Sequence, residues 1–326
     1  TMPLSPSRHT LALAAAAWVL TACGQAPAAG AQPTAGGPVE TRPPNGRGQT
    51  PAFAGQTRAP AVVSAVAYKT QVLASGLDHP WAIAFLPGGE LLVSERAGRL
   101  RRIGVDGRLS PPLGGLPKVE VGGQGGLLDL AIERDFAHTH MVYFSYFEPR
   151  PGGAGLTVAR AMLNEGGLSD LQVIFRAEPA ISNTLNIGGR LLVLPDDTLL
   201  IGVGDRFEGE HAQNLGDDLG KLVRINADGS IPKDNPFVGR AGVRPEVFSY
   251  GHRNPEGLTL DPATGELWEV EHGARGGDEI NRPRAGKNYG WPVITYGIDY
   301  SGDKIGDGIT RQSGMEQPVY YWDPVI

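Results

Sequence analysis

The sequence predicts an all-β fold of the propeller kind. Three observations carry this reading: a strand–turn–strand unit that recurs along the chain, a blade-sized interval between its copies, and weak helical periodicity throughout. The copies begin at Trp81 (WAIAFLPGGELLVSE), Leu127 (LLDLAIERDFAHTHMVYFSY), Gly189 (GRLLVLPDDTLLIGVGD) and Glu256 (EGLTLDPATGELWEVEHG). Each is an apolar run, a turn and a second apolar run. The turns PGG, PDD and DPATG are rich in residues that tolerate tight hairpin angles. A propeller stacks such hairpins radially, and a β-sandwich is the competing arrangement.

In order along the chain, residues 1–23 read as an export signal. Arg8 and His9 precede the apolar run Leu11 to Leu20, which is too short to span a bilayer. Leu20-Thr21-Ala22-Cys23 has the form of a bacterial lipobox, with Cys23 as the lipidated residue, and Cys23 is the single cysteine among 326 residues. One cysteine excludes an internal disulfide. The expected location is therefore the bacterial cell envelope, on a lipid anchor facing the periplasm. Residues 24–66, rich in Ala, Gly, Pro, Gln and Thr, read as a flexible tether. Residues 67–326 form the propeller. Its strand pattern is still running at Ile326, so a C-terminal part is expected to be missing. A net charge of −6 without like-charge runs argues against nucleic acid as a partner.

Four stretches exceed what strands and turns require. Gln124 lies between glycine pairs in VGGQGGLLDL, a loop that is either tight structure or a close approach to a ligand. Arg253 and Asn254 in YGHRNPEGL offer a carboxylate-binding fork or a structural ion pair. The segment from Glu269 to Pro292 is dense in carboxylates and carbonyls, hard oxygen donors that suit calcium without the EF-hand spacing. Asn186 precedes a predicted strand, and Asp205 ends one as a turn cap or a channel-facing carboxylate. Walker, Rossmann, HExxH and GxSxG patterns are absent, and His252 and His272 lack zinc spacing.

In this order the motifs DHPWAIAFLP, GQGGLLD, GGRL, GKLVRIN, DNPF, SYGHRNPEG, EHGARGGDEIN, GKNYGWP, YGIDYSG and EQPVYYW resemble the soluble pyrroloquinoline quinone (PQQ) dependent aldose sugar dehydrogenases, the glucose/sorbosone dehydrogenase family. The resemblance implies a six-bladed propeller that oxidises aldose sugars to lactones by hydride transfer to PQQ. Electrons then pass to a membrane-associated acceptor. It places Gln124, Arg253, Asn254 and Tyr300 against PQQ. The carbonyls of Gly273 and Ala274, with Glu279 and Tyr289, fall on calcium positions, and Asp278 lies beside the substrate pocket. One departure stands out. Asn186 occupies the position of the family's catalytic histidine, and Asp205 that of the carboxylate orienting it. The resemblance therefore implies either Asp205 as a substitute base or a catalytically impaired lipoprotein that binds PQQ or carbohydrate without turnover.

Overall fold

The structure, a computed structural model, describes residues 36–324. The lipobox and Cys23 lie outside the described residues. Fifteen strands form four antiparallel sheets. The first sheet is β1 (Pro80–Phe85), β2 (Leu91–Glu95) and β3 (Arg99–Ile103). The second runs β4 (Leu127–Ile132), β5 (Met141–Arg150), β6 (Gly153–Asn164) and β7 (Gly167–Arg176). The third is β8 (Gly188–Val193), β9 (Leu199–Val203), β10 (Lys221–Ile225) and β11 (Val247–Tyr250). The fourth is β12 (Pro255–Leu260), β13 (Leu267–Glu271), β14 (Asp278–Asn281) and β15 (Tyr320–Trp322).

Each sheet is an up-and-down meander. The first strands β1, β4, β8 and β12 lie beside one another in that order, as innermost strands do in a propeller. The described residues thus build four blades and not the six implied by the resemblance. The only α-helix among them is the single turn Phe136–Thr139.

Apolar side chains from facing blades fill the space between them. Leu92, Leu100, Leu127, Phe144 and Ala161 pack between the first and second blades. Phe147, Val158, Leu199, Ile201 and Val223 pack between the second and third. Strands buried on both faces explain the near-continuous apolar runs in LLVS and LLIGV.

The composition of residues 24–66 predicts a flexible tether; residues 62–66 are exposed and carry no secondary structure, whereas residues 45–58 pair with the fourth blade. The backbone amides of Asn45 and Gly46 donate to the Asp323 carboxylate, each at 2.8 Å. Gln56 is fully buried; its amide donates to Pro318 O, and its carbonyl accepts from Tyr321 N. This segment is a strap on the fourth blade. The physical reason is specific backbone and amide pairing, which a low apolar content does not report.

Candidate functional site

The topology brings the expected residues to one rim. Gln124 precedes β4, Asn186 precedes β8, and Arg253 and Asn254 precede β12, so all sit at the starts of innermost strands. Asp205 follows β9, and Gly273 and Ala274 follow β13. Because β8 pairs with β9 and β12 with β13 antiparallel, these ends meet the same rim. The rim surrounds a cleft of about 390 Å³ lined by Gln124, Asn186, Arg253, Asn254, His272, Gly273, Ala274, Asp278 and Tyr300. A second cavity of about 200 Å³ adjoins it through Asn186, Arg253, Ala274 and Tyr300.

Asn186 has a left-handed backbone (φ 47°), which asparagine and histidine adopt more readily than most residues. Its amide N–H donates to Gln124 Oε1 at 2.6 Å, and Nδ2 donates to Asp205 Oδ1 at 2.9 Å. Asp205 is buried and also accepts from Phe207 N at 2.8 Å and Trp291 Nε1 at 2.7 Å. Burial raises the Asp205 pKa, against the opposing pull of these donors and of Arg253. With three donors on two oxygens, Asp205 holds Asn186 in place. One of its roughly four lone-pair sites stays without a donor, and the carboxylate borders the adjoining cavity.

Glycine is needed where these strands cross. A side chain on Gly204 would collide with the Asn186 carbonyl and the Asn254 amide. Asn254 is itself engaged at both ends, since Oδ1 accepts from Gly188 N and Nδ2 donates to Glu256 Oε1, each at 2.9 Å. It ties the Asn186 loop to β12 as well as lining the cleft.

Arg253 is buried between two rings, with Cζ 5.3 Å from the Trp291 ring and 5.8 Å from Phe207. One terminal nitrogen donates to His272 O at 3.1 Å and the other faces Tyr300 Oη at 3.4 Å. Nε is buried with no hydrogen-bond partner, an unmet donor on a cation that lines the cleft. The neighbouring Arg206 is buried under the loop. It donates to Ala154 O at 2.9 Å and lies 4.7 Å over Phe147. Arg206 and Phe207 are both left-handed (φ 58° and 63°), a strain of about 1–3 kcal/mol each. Pinned from below, the turn pushes Phe207 into the cavity.

Glu279 and Tyr289 do not line the main cleft. They border a smaller space behind it with Arg253, Glu271 and Gly273. The Tyr289 hydroxyl is committed, donating to Arg282 O at 2.7 Å and accepting from Arg284 N at 3.0 Å. A metal ligand from this residue would have to be its carbonyl.

Two more carboxylates accompany Glu279: Glu271, which belongs to the expected oxygen-rich stretch, and Glu269, which the sequence reading did not single out. Asn281 Nδ2 lies 3.1 Å from Glu269 Oε2, 3.1 Å from Glu271 Oε1 and 3.3 Å from Glu279 Oε2. Glu269 Oε1 and Asn281 Oδ1 are buried without partners. Burial and the adjacent Glu271 charge push the Glu269 and Glu279 carboxyls well above the usual range. Donor atoms of His252, Glu269 and Glu271 lie within 4.8 Å of one another. Such an oxygen-rich, under-compensated cluster fits a hard divalent cation. The overlooked signal was period-2 spacing: Glu269 and Glu271 share the inward face of β13. Beside the cluster, the 273–277 turn is so tight that a side chain on Gly273 would strike the Gly276 and Gly277 carbonyls.

His272 is the other residue missed; it lines the cleft with Nδ1 3.7 Å from Asp278 Oδ1. The Asp278 carboxylate raises its pKa. His252 Nε2 lies 2.9 Å from Ser249 Oγ.

A propeller whose rim gathers an arginine, amides and carbonyls over a carboxylate cluster has the layout of a cofactor-dependent enzyme. Residues 77–326 match the glucose/sorbosone dehydrogenase family model, and the chain belongs to that family. It is 44% identical over 269 residues to the aldose sugar dehydrogenase YliI of Escherichia coli strain K12, covering 81% of this chain and 71% of that protein. The solved apo-form of a soluble aldose sugar dehydrogenase from Escherichia coli superposes with a TM-score of 0.75 at 45% identity, over 78% of this chain and 74% of that one. A PQQ-bound aldose sugar dehydrogenase from Streptomyces coelicolor superposes with a TM-score of 0.66 at 33% identity, over 78% and 70%. The family and these homologues make the chain an oxidoreductase of the sugar dehydrogenase type.

Proposed function

We propose that this protein oxidises aldose sugars to lactones with PQQ and calcium as its cofactors. The observation that carries the proposal is the convergence of Gln124, Asn186, Arg253, Asn254, Gly273, Ala274 and Tyr300 on one cleft. A tricarboxylate quinone supplies the anionic acceptors that Arg253 lacks, and the cleft volume lies in the range of small-molecule sites. Calcium fits the oxygen donors at Gly273, Ala274 and Glu279, with Tyr289 contributing its carbonyl.

When bound, PQQ accepts the hydride that C1 of the sugar gives up. The chain's own residues do the rest. Arg253 binds and neutralises anionic oxygens in a partly dry site. Gln124 holds the Asn186 backbone, and Asp205 fixes the Asn186 amide. Asn186 then has Oδ1 free to accept from the anomeric hydroxyl. An amide does not take up a proton near neutral pH, so the anomeric hydroxyl proton leaves to solvent water and not to a base at position 186. That omission costs roughly 10²–10⁴-fold.

Asn186 also favours the second reading, a catalytically impaired lipoprotein that retains PQQ or carbohydrate binding. Export to the cell envelope, lipid attachment at Cys23 and electron delivery to a membrane-associated acceptor complete the proposal; they rest on the leader sequence and on the chemistry of a reduced cofactor. The deciding experiment is a PQQ titration read by absorbance with calcium present, followed by dye reduction with several aldoses. PQQ binding with turnover supports the enzyme. Binding without turnover supports the impaired protein, and no binding removes both.

A further inference from the structure

Arg96 stands at the turn after β2, in the first blade, and lines neither of the adjoining cavities. Its backbone is fixed on both sides. The Arg96 amide donates to His79 O at 3.0 Å, and its carbonyl accepts from Leu127 N, at the start of β4, at 2.9 Å. The guanidinium then reaches the loop that carries Gln124. Nε donates to Gly125 O at 2.9 Å, and one terminal nitrogen donates to Gly123 O. The fork therefore grips the carbonyls on either side of Gln124. From the opposite side, Gln124 N donates to Thr184 O at 2.9 Å, and Gln124 Oε1 accepts from Asn186 N at 2.6 Å.

The glycines around Gln124 make this grip possible. A side chain on Gly126 would strike the Arg96 carbonyl and stem, and one on Gly123 (φ 53°) would strike Thr184. The close approach that the glycine pairs permit is thus to Arg96 and Thr184. Gln124 itself is exposed, so burial does not hold it. Arg96 is half-buried and has no carboxylate partner among the described residues; both of its side-chain bonds go to carbonyls of this loop.

We infer that Arg96 is a positioning residue for the cleft: it fixes Gln124, and through Gln124 the backbone of Asn186, without touching cofactor or sugar itself. The inference rests on the dehydrogenase reading, and it adds a residue of the first blade to a site whose other members precede or follow strands of the second, third and fourth. Charge-assisted bonds are stronger than neutral ones, and two of them from one planar guanidinium set the direction of the loop as well as its distance. A lysine keeps the charge and loses the fork.

The test uses the full chain with Arg96→Ala, Arg96→Lys, Gln124→Ala and the pair Arg96→Lys with Gln124→Ala. Arg96→Lys keeps the stem and the charge, which guards against a variant that fails to fold. Amide exchange without cofactor, read by mass spectrometry, is expected to speed up about tenfold over residues 122–127 and at Asn186 in Arg96→Lys, with β5 and β6 unchanged. PQQ binding, titrated by absorbance, is expected to weaken about tenfold in Arg96→Lys and in Gln124→Ala. The double variant should bind no more weakly than Gln124→Ala alone, because Arg96 acts through Gln124. A merely structural arginine would loosen β5 and β6 along with the loop, and its effect on PQQ would add to that of Gln124→Ala; either result would overturn the inference. Unchanged exchange of the loop in both Arg96→Ala and Arg96→Lys would also overturn it. Failure of the parent to bind PQQ is a separate result, which strikes the dehydrogenase reading, while the amide exchange still decides whether Arg96 holds Gln124.

Discussion

Asp205 Oδ1 accepts the side-chain amide of Asn186 at 2.9 Å, and the same carboxylate is gripped by Trp291 Nε1 at 2.7 Å. The carboxylate and its clamp are what a histidine at position 186 would need in order to be oriented. The left-handed backbone there also accepts histidine. Asn186→His is therefore expected to raise kcat by about 10²-fold or more and to add an acidic limb to the pH–rate profile, the rate falling as the imidazole is protonated at low pH. Steady-state dye reduction across pH 5–9 measures both, and an unchanged kcat would show that proton removal is handled elsewhere.

Removing the clamp should act in the opposite direction. In Asp205→Asn, one oxygen becomes an NH₂ group, so either Trp291 Nε1 loses its acceptor or Asn186 Nδ2 and Phe207 N lose theirs together, and the clamp on Asn186 loosens. A roughly tenfold or greater fall in kcat is expected with little change in PQQ affinity, because the charge that faces the cofactor sits on Arg253. Dye reduction and absorbance titration separate the two effects.

Arg253→Lys should fail to replace arginine. The guanidinium is flat between Trp291 and Phe207 and reaches His272 O and Tyr300 at once. A lysine ammonium offers neither the plane nor the fork. PQQ affinity is expected to fall about 10- to 100-fold in both Arg253→Lys and Arg253→Ala. Recovery in the lysine variant would mean that charge alone matters.

Calcium should stabilise the fourth blade by relieving crowding among Glu269, Glu271 and Glu279. At a hundredfold excess over Kd the gain is about 2.7 kcal/mol, which corresponds to a Tm rise of several degrees. Calorimetry with calcium and with chelator measures it, and Glu279→Gln should shrink the difference.

Much of this was readable from sequence because it is local. The hairpins at PGG, PDD and DPATG became β1–β2, β8–β9 and β12–β13. Gln124, Arg253 and Asn254 stood out through motifs shared with the family, since their bonds to the Asn186 loop and to Glu256 are not legible from local sequence. What escaped was non-local. Gln56 is buried through bonds to residues more than 200 positions away, and composition cannot register a partner at that distance. β15 joins β14 only after a long irregular excursion, so Tyr320–Trp322 does not look like part of the same blade. The Glu269/Glu271 alternation was visible, but a carboxylate inside a strand was weighed as loop chemistry.

A pH effect on folding follows from Asp218, which is buried against Arg244. Burial raises its pKa from 3.8 to about 6, more than the arginine lowers it. The folded chain keeps a proton that the unfolded chain has released. Stability is therefore present below pH 4 and declines as pH rises to 6, by about 3 kcal/mol at ~1.4 kcal/mol per unit. In Asp218→Asn the decline over that window should flatten. Arg244 keeps Glu246 at 3.0 Å, so the variant leaves it a partner. Denaturant midpoints from pH 4 to 7 test this.

The strap of residues 45–56 has a practical corollary for anyone trimming this gene for expression. A boundary drawn at residue 67, where the composition invites a cut, would strip Asp323 of its two amide donors and leave a vacated slot where Gln56 meets Tyr296 and Tyr321. Such a truncation should express poorly or expose its last strand to protease, and a start before Asn45 should rescue it.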